Sequence, residues 1–184
     1  MGKETPPARR GESGQHGQAL VEFVLVVPVL FFLFFAALEG SLLVFSVGTF
    51  RYAAAQGASV AAAQGQSATA DTDAIAAINN GPAGNTNLGQ ITEIDVQCEA
   101  ETGTAGALTP CSAFPTANHY GPSGAALNAP VPWPPSRRNV VNGKSDFLGL
   151  TIHYNFQFRS GSLLGVSALQ LTQTYHVRLE PQTY

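Results

Sequence analysis

The chain has 184 residues, of which 45% are hydrophobic and only 11% charged, and its net charge is −3. A chain with so few basic residues has no electrostatic footprint for nucleic acid, so we expect no nucleic-acid partner. Beyond the apolar N-terminal region, about 130 residues remain, which is enough for one modest folded domain.

A single apolar run near the N-terminus predicts a transmembrane helix. Sixteen consecutive residues, Phe23 to Leu38, carry no charge. A hydrocarbon core of about 30 Å needs roughly 20 helical residues, and a window from about residue 19 to residue 43 supplies them. Three of the nine Lys and Arg residues precede this run, which favours a cytoplasmic N-terminus and an extracytoplasmic C-terminal domain.

A carboxylate interrupts the start of this run. Residues 1–17 form a short polar leader that ends at Gly17, and Glu22 follows after four intervening residues. An ionisable group in a membrane helix costs about 2–3 kcal/mol or more and therefore suggests a function. Glu39 lies near the opposite edge of the hydrocarbon. A cleaved secretory signal is disfavoured because the apolar core of such a signal is shorter than this run. An uncleaved anchor remains an alternative. A separate alternative places Glu22 in the headgroup zone without a function.

The sequence after the apolar run predicts a helical stalk to about residue 66. Ala53, Gly57, Ala61 and Gly65 recur at every fourth position and would form one smooth helical face. Such a face allows another backbone to approach closely, and that neighbour could equally be a second subunit or the protein's own sheet. Asp71-Thr-Asp then offers an N-cap for a short second helix that ends at residues 79–82.

Three alternating segments predict an antiparallel sheet. They are Ile91–Cys98, Leu150–Arg159 and Leu169–Glu180, and the last two are expected to pair directly. In the third segment we expect Leu169, Leu171, Tyr175, Val177 and Leu179 to point inward. The predicted fold class is α+β: a single N-terminal transmembrane helix (18–66) extended as a stalk, and an extracytoplasmic head (67–184) of about three strands packed on helix.

The segment between the first two strands, residues 110–138, is rich in proline. Proline cannot donate to a strand ladder, so this segment is predicted to be a surface loop with Trp133 exposed. The two cysteines, Cys98 and Cys111, both follow the apolar run. In an oxidising compartment they are expected to form a disulfide across a loop containing Gly103, Gly106 and Pro110, although two free thiols remain an alternative.

No pattern in the chain indicates catalysis. His119, His153 and His176 fall in the loop and on the polar faces of two strands, where solvated histidines are expected. No nucleophile elbow, phosphate-binding loop or paired metal motif is present in the sequence. We expect no enzyme activity, no cofactor, no metal ligand and no small-molecule substrate. A membrane-anchored binding or adhesion module that uses the Trp133 loop is the alternative function.

The N-terminal pattern resembles a known family. Gly17-Gln-Ala-Leu-Val-Glu-Phe23, Val26-Val-Pro-Val-Leu30 and Leu38-Glu-Gly40 resemble the TadE-like proteins, minor pseudopilins of tight-adherence (Tad/Flp) pilus systems. The likeness covers about residues 16–60 and includes the small residues after the helix. It implies a protein of the bacterial cytoplasmic membrane that takes part in pilus assembly.

The resemblance also implies roles for individual residues. A prepilin peptidase would cut between Gly17 and Gln18, and Glu22 would become the fifth residue of the mature chain. Glu22 would then pair with the N-terminal amine of an adjacent subunit and fix the axial register, because that amine removes the cost of a lone charge in hydrocarbon. The implied partners are the membrane, the peptidase and other pilus subunits or assembly proteins.

Overall fold

The computed structural model describes residues 15–102, 106–161 and 167–181, with side chains from residue 17 onward. The chain divides into two compact units, Met1–Gly40 and Ser41–Tyr184. We call them the N-terminal unit and the C-terminal unit. Helix α1, Gln15–Gln64, contributes residues to both. Most of the predicted leader, residues 1–14, lies outside the described residues.

In the N-terminal unit, α1 exposes large apolar side chains on every face. From Leu20 to Leu38 these side chains are 42–68% exposed, except for Val27, which is partly buried. Pro28 lies inside the helix; a transmembrane helix tolerates an internal proline better than a soluble helix does. Within the described residues, α1 is the one helix long and apolar enough to cross a membrane. An apolar surface of this extent needs a lipid or protein cover.

The C-terminal unit contains one antiparallel sheet of five strands. The strands are β1 (Gly89–Glu101), β2 (Leu108–Pro110), β3 (Asn118–Tyr120), β4 (Phe147–Gln157) and β5 (Ala168–Arg178). The order is β2-β1-β4-β5, and β3 also pairs with β1. The α+β class, the three long strands and the direct pairing of the last two are therefore confirmed. The two short strands β2 and β3 were not predicted.

One face of the sheet forms the core with the helices of the same unit. Alternate residues of β4, Leu148 to Phe156, are at most 1% exposed, and Phe50 of α1 stacks on Tyr154 with ring centroids 3.7 Å apart. A Cβ at Gly57 would lie 2.6 Å from Ile78 Cδ1 and 3.2 Å from Leu150 Cδ1. The small-residue face of α1 thus contacts the protein's own helix and sheet. Gly65, with φ of 53°, follows the last helical residue, as is common where a helix ends.

Helix α2 spans Ala70–Asn80 and begins one residue earlier than its predicted cap. Thr69 is the N-cap residue, and it makes no side-chain capping hydrogen bond. The prediction that Asp71 starts the helix as a cap is therefore wrong. Asp71 lies inside the first turn, is 3% exposed and forms an ion pair with Arg138. An acidic side chain in a first turn suits the helix dipole. Here the position of the Asp71 carboxylate is fixed by Arg138, which is far away in the sequence but in direct contact.

The predicted exposure of Trp133 in the proline-rich segment is wrong, and the segment is not irregular throughout. Residues 110–138 contain β3 and a 3-10 helix, Pro135–Arg137. Trp133 is fully buried, with its ring 4.7 Å from the Arg138 guanidinium carbon. Asn118, also buried, accepts a hydrogen bond from the Trp133 backbone N–H (2.8 Å) and donates one to its carbonyl (2.7 Å). A side-chain amide thus replaces backbone pairing that proline cannot supply.

Strand β5 is an edge strand and is more exposed than its alternation predicts. Leu179, just beyond it, is 1% exposed, and Leu171 and Val177 are partly buried, but Leu169 and Tyr175 are 40% and 39% exposed. The inward assignment of these last two residues is wrong. Periodicity identifies one face of a strand, but it does not show how far the covering helices extend over that face.

Cys98 and Cys111 form a disulfide bond, as the sequence predicts. Cys98 is buried in β1, and Cys111 follows β2 directly; its backbone N–H donates to the Cys98 carbonyl at 3.0 Å. The bond therefore fixes the register in which Glu99 of β1 lies opposite Pro110 of β2. Gly103, in the enclosed loop, lies outside the described residues.

Candidate functional site

The predicted assembly residues lie together on one face at the start of α1. Gly17, Gln18, Val21, Glu22 and Leu25 line a shallow surface depression. Gln18 and Glu22 are one helical turn apart, which separates their Cβ atoms by about 5–6 Å. Both residues are exposed, so a neighbouring molecule can reach the Glu22 carboxylate. Glu39, in contrast, is 6% exposed.

Gly17 is not required by packing. A Cβ built on Gly17 meets no atom within 4 Å, and the same holds for Gly40 on the same helix. A glycine within a helix is about 1 kcal/mol less favourable than alanine. The structure of the described residues therefore gives no steric reason for glycine at position 17.

A cluster of histidines and carboxylates lies on the polar face of the sheet, where sequence reasoning expected solvated histidines. We call Glu93, Asp95, His119 and His153 the polar-face cluster. Asp95 lies opposite His119 on β3, and Glu93 lies opposite His153 on β4. Because residues two apart on a strand share a face, the two β1 carboxylates are flanked by a histidine on either side.

The atoms of this cluster are in direct contact. His119 Nδ1 lies 2.7 Å from Glu93 Oε1 and 2.8 Å from Asp95 Oδ1. His153 Nε2 lies 2.9 Å from Asp95 Oδ2. The Asp95 side chain is 16% exposed, and those of the other three are 35–38% exposed. The cluster is therefore accessible to solvent ions.

The carboxylates change the protonation of His119. Burial lowers the pKa of this imidazole, but the negative charges and hydrogen bonds of Asp95 and Glu93 raise it, so the pKa lies above 6.5. The physical cause is that two nearby negative charges favour the imidazolium form. His176 forms a simpler pair elsewhere on the sheet, with its Nδ1 2.6 Å from Glu99 Oε2.

A second polar group is buried in the core of the C-terminal unit. The Asp71 carboxylate pairs with Arg138 and accepts hydrogen bonds from the Tyr120 hydroxyl (2.7 Å) and the Asn118 amide (3.3 Å). Burial, followed by the charge of Asp71, raises the pKa of Tyr120 above its usual value of 10.0. This group joins α2, β3 and the end of the proline-rich segment, and it indicates a structural role.

The comparison with known families bears on the N-terminal segment. Residues 17–59 match the family model described as TadE-like protein. The match begins at Gly17, includes Glu22 and ends within α1, so it confirms the resemblance of this segment to TadE-like proteins. No curated protein matches the chain, and no solved structure does.

The apolar helix and this match define a class of protein. The chain has an N-terminal helix that is long and apolar enough to cross a membrane, together with an α+β C-terminal unit. Its N-terminal segment is TadE-like, which relates the chain to membrane proteins of Tad pilus systems. TadE-like proteins are pilus-system components, and no feature described above indicates catalysis.

Proposed function

We propose that this protein is a minor pseudopilin that takes part in the assembly of a Tad/Flp-type pilus. The observation that carries the proposal is the TadE-like match over residues 17–59, at whose start Glu22 is an exposed carboxylate on an apolar helix. The helix anchors the chain in the cytoplasmic membrane, with residues 1–17 in the cytoplasm and the C-terminal unit outside. The partners are a prepilin peptidase and other pilus subunits or assembly proteins.

Processing at Gly17 is the first step of this proposal. A prepilin peptidase cuts between Gly17 and Gln18 and leaves a free amine one turn from Glu22. Since the side chains that follow Glu22 on α1 are apolar as far as Leu38, the Glu22 charge is stabilised when it meets an amine. The amine of an adjacent subunit meets it in one axial register, so the pair positions neighbouring subunits.

Two glycine variants test the processing step. A Cβ at either Gly17 or Gly40 meets no atom within 4 Å, so neither alanine variant disturbs packing. We expect Gly17→Ala to retain its leader and Gly40→Ala to lose it, as measured by the intact mass of protein extracted from cells with an active peptidase. Full-length wild-type protein in such cells would instead support an uncleaved anchor carrying a binding module.

A charge variant tests the register step. Glu22→Gln removes the charge but preserves the shape, so membrane insertion should be unchanged or improved. We expect pilus yield to be lost because an amide cannot pair electrostatically with an amine. Glu22→Asp retains the charge and should keep part of the yield. Normal piliation with Glu22→Gln at equal subunit level would refute the register role.

Deletion of the gene tests the pilus role itself. We expect loss of surface pili that is restored by the wild-type gene. Normal piliation after deletion would overturn the proposed function.

A further inference from the structure

The polar-face cluster has the composition and geometry of a metal site. We propose that Glu93, Asp95 and His119 bind a first-row divalent transition-metal ion, with Zn²⁺ as the representative ion. The ligand atoms are Glu93 Oε1, Asp95 Oδ1 and His119 Nδ1, which come from two neighbouring strands. All three lie within 4.8 Å of one another. This site is independent of the proposed role in pilus assembly.

The distances between the ligand atoms are somewhat shorter than a bound metal ion requires, and a small movement corrects them. Zn²⁺ binds imidazole nitrogen and carboxylate oxygen at about 2.0–2.2 Å, so two tetrahedral ligands are about 3.4 Å apart. The two contacts of His119 Nδ1, at 2.7 and 2.8 Å, are shorter than this. An outward movement of the three side chains by about 0.5 Å makes room for the ion.

Without a metal ion, two carboxylate oxygens share a single donor among the described side chains. Two carboxylate oxygens converge on His119 Nδ1, yet a ring nitrogen carries at most one proton and can donate one good hydrogen bond. The second oxygen then faces the same N–H at a short distance. A cation at the point of convergence accepts electron pairs from both oxygens and from the neutral imidazole at once. The convergence itself therefore favours a metal ion.

Neighbouring groups hold the ligands in position. His153 Nε2 contacts Asp95 Oδ2, the oxygen that the metal does not use, at 2.9 Å. The backbone N–H of His119 donates to Asn128 Oδ1 at 2.9 Å. A partner that orients a ligating side chain, as His153 does for Asp95, is typical of metal sites. His153 is therefore a positioning residue in this proposal, whereas Asn128 holds the backbone of β3 at His119.

The ligand types select the kind of metal. Imidazole suits zinc, copper, iron and nickel, whereas magnesium and calcium prefer oxygen ligands throughout. The cluster has one imidazole and two carboxylates as direct ligands, and water can occupy the remaining coordination positions because the residues are partly exposed. The ion would tie β3 to β1, since His119 belongs to β3 and both carboxylates belong to β1.

The test uses the untagged full-length protein in detergent micelles. The background carries His16→Ala, so that a histidine outside the described side chains cannot bind the probe. Equilibrium dialysis against Zn²⁺ in a metal-buffered solution should give one bound ion per chain. His176→Ala is the matched control because its Glu99 pair has the same chemistry but belongs to no described group of three metal-ligating side chains. We expect its affinity to equal that of the parent.

Removal of a ligand should weaken binding strongly. His119→Ala should lower Zn²⁺ affinity by at least about 100-fold, and His153→Ala by about tenfold, as is usual for a residue that orients a ligand. Glu93→Gln provides a second ligand variant at a more exposed position, should His119→Ala fail to fold. Folding is checked without metal by the fluorescence of Trp133.

A second measurement distinguishes a built site from loose surface binding. Zn²⁺ should raise the melting temperature of the parent and of His176→Ala. It should not raise the melting temperature of His119→Ala or Glu93→Gln. Mg²⁺ should not raise the melting temperature of any of these proteins. The proposal is overturned if the parent binds Zn²⁺ no better than the folded ligand variants do. Equal weakening by His176→Ala would also overturn it, because binding would then be nonspecific.

Discussion

The two units handle their apolar surface in opposite ways. In the N-terminal unit, the large apolar side chains from Leu20 to Leu38, apart from Val27, are 42–68% exposed. In the C-terminal unit, alternate residues of β1 and β4 are buried against helices of the same unit. The first surface needs a cover from outside the chain, for which the TadE-like match supports lipid, whereas the second is covered by the chain itself.

Their carboxylates differ in the same way. Glu22 is exposed on an apolar helix, and the partner proposed for it belongs to another molecule. Asp71 is 3% exposed and has its arginine partner, Arg138, within the same unit. The difference teaches that an acidic residue in an apolar stretch can serve contact with another molecule or can stabilise the fold of its own unit. The available partner decides which role it has.

The largest expected effect is on the membrane insertion of the N-terminal unit. Leu30→Asp with Phe34→Asp places two charges on one face of the helix, at a cost to insertion of about 6 kcal/mol. We expect the carbonate-resistant membrane fraction to fall sharply. The matched control is Leu127→Asp with Val141→Asp, whose wild-type side chains are 61% and 62% exposed in the C-terminal unit. Equal insertion of both double variants would contradict a membrane role for the helix.

The next effect breaks the internal ion pair of the second unit. Asp71→Asn leaves the fully buried Arg138 charge without its partner, so the free energy of unfolding should fall by about 3–5 kcal/mol. Denaturant titration followed by Trp133 fluorescence measures it, since this is the chain's one tryptophan and is fully buried. Adding Arg138→Met should restore part of the loss. If the free energy of unfolding fell by no more than it does for an ordinary surface substitution, the ion pair would not stabilise the fold.

Reduction of the Cys98–Cys111 bond should have a somewhat smaller effect. The bond encloses a loop with a sequence separation of 13, and the chain-entropy model gives such a loop about 3 kcal/mol. Cys98→Ala with Cys111→Ala should lower the free energy of unfolding by a similar amount in the same fluorescence assay. Membrane insertion should not change, because neither cysteine belongs to the N-terminal unit. Thiols that react with an alkylating agent in the native protein would contradict the bond.

The smallest expected effect is on the pH dependence of stability, through Tyr120 of the buried polar group. The pKa of Tyr120 is raised in the folded state, so its contribution to stability is complete below pH 10 and is lost as the pH rises above 10. For one group the slope approaches about 1.4 kcal/mol per pH unit. Tyr120→Phe should reduce this slope, leaving the part due to Tyr154, whose pKa burial also raises. An unchanged slope would show that Tyr120 ionises freely in the native protein.

Local patterns were sufficient for the long elements and for the family. The apolar run predicted α1, and strict alternation predicted β1, β4 and β5 close to their observed bounds. These signals are local because one residue period determines which face of an element is apolar. The assignment of Leu169 and Tyr175 to the interior failed because burial depends on what covers the strand, and β5 lies at the edge of the sheet.

The proline-rich segment shows why composition misleads. Prolines exclude regular pairing, but they do not prevent a segment from packing when side chains supply the hydrogen bonds. Asn118 does so for Trp133, and the Arg138 side chain is fully buried against Asp71. The burial of Trp133 also removes the exposed aromatic on which the alternative adhesion function depended. These contacts join residues far apart in the chain, so no short window could reveal them.

The sequence by itself determined the membrane-type helix, the position of Glu22 after Gly17, the three long strands and the pairing of the two cysteines. Each of these depends on residue types within a short stretch or, for the disulfide, on the presence of two cysteines in the chain. Only the tertiary structure decided that the small-residue face of α1 contacts the protein's own sheet and that Asp71 pairs with Arg138. It also decided that two β1 carboxylates meet His119 and His153, because strand register brings together residues that the sequence separates by more than twenty positions.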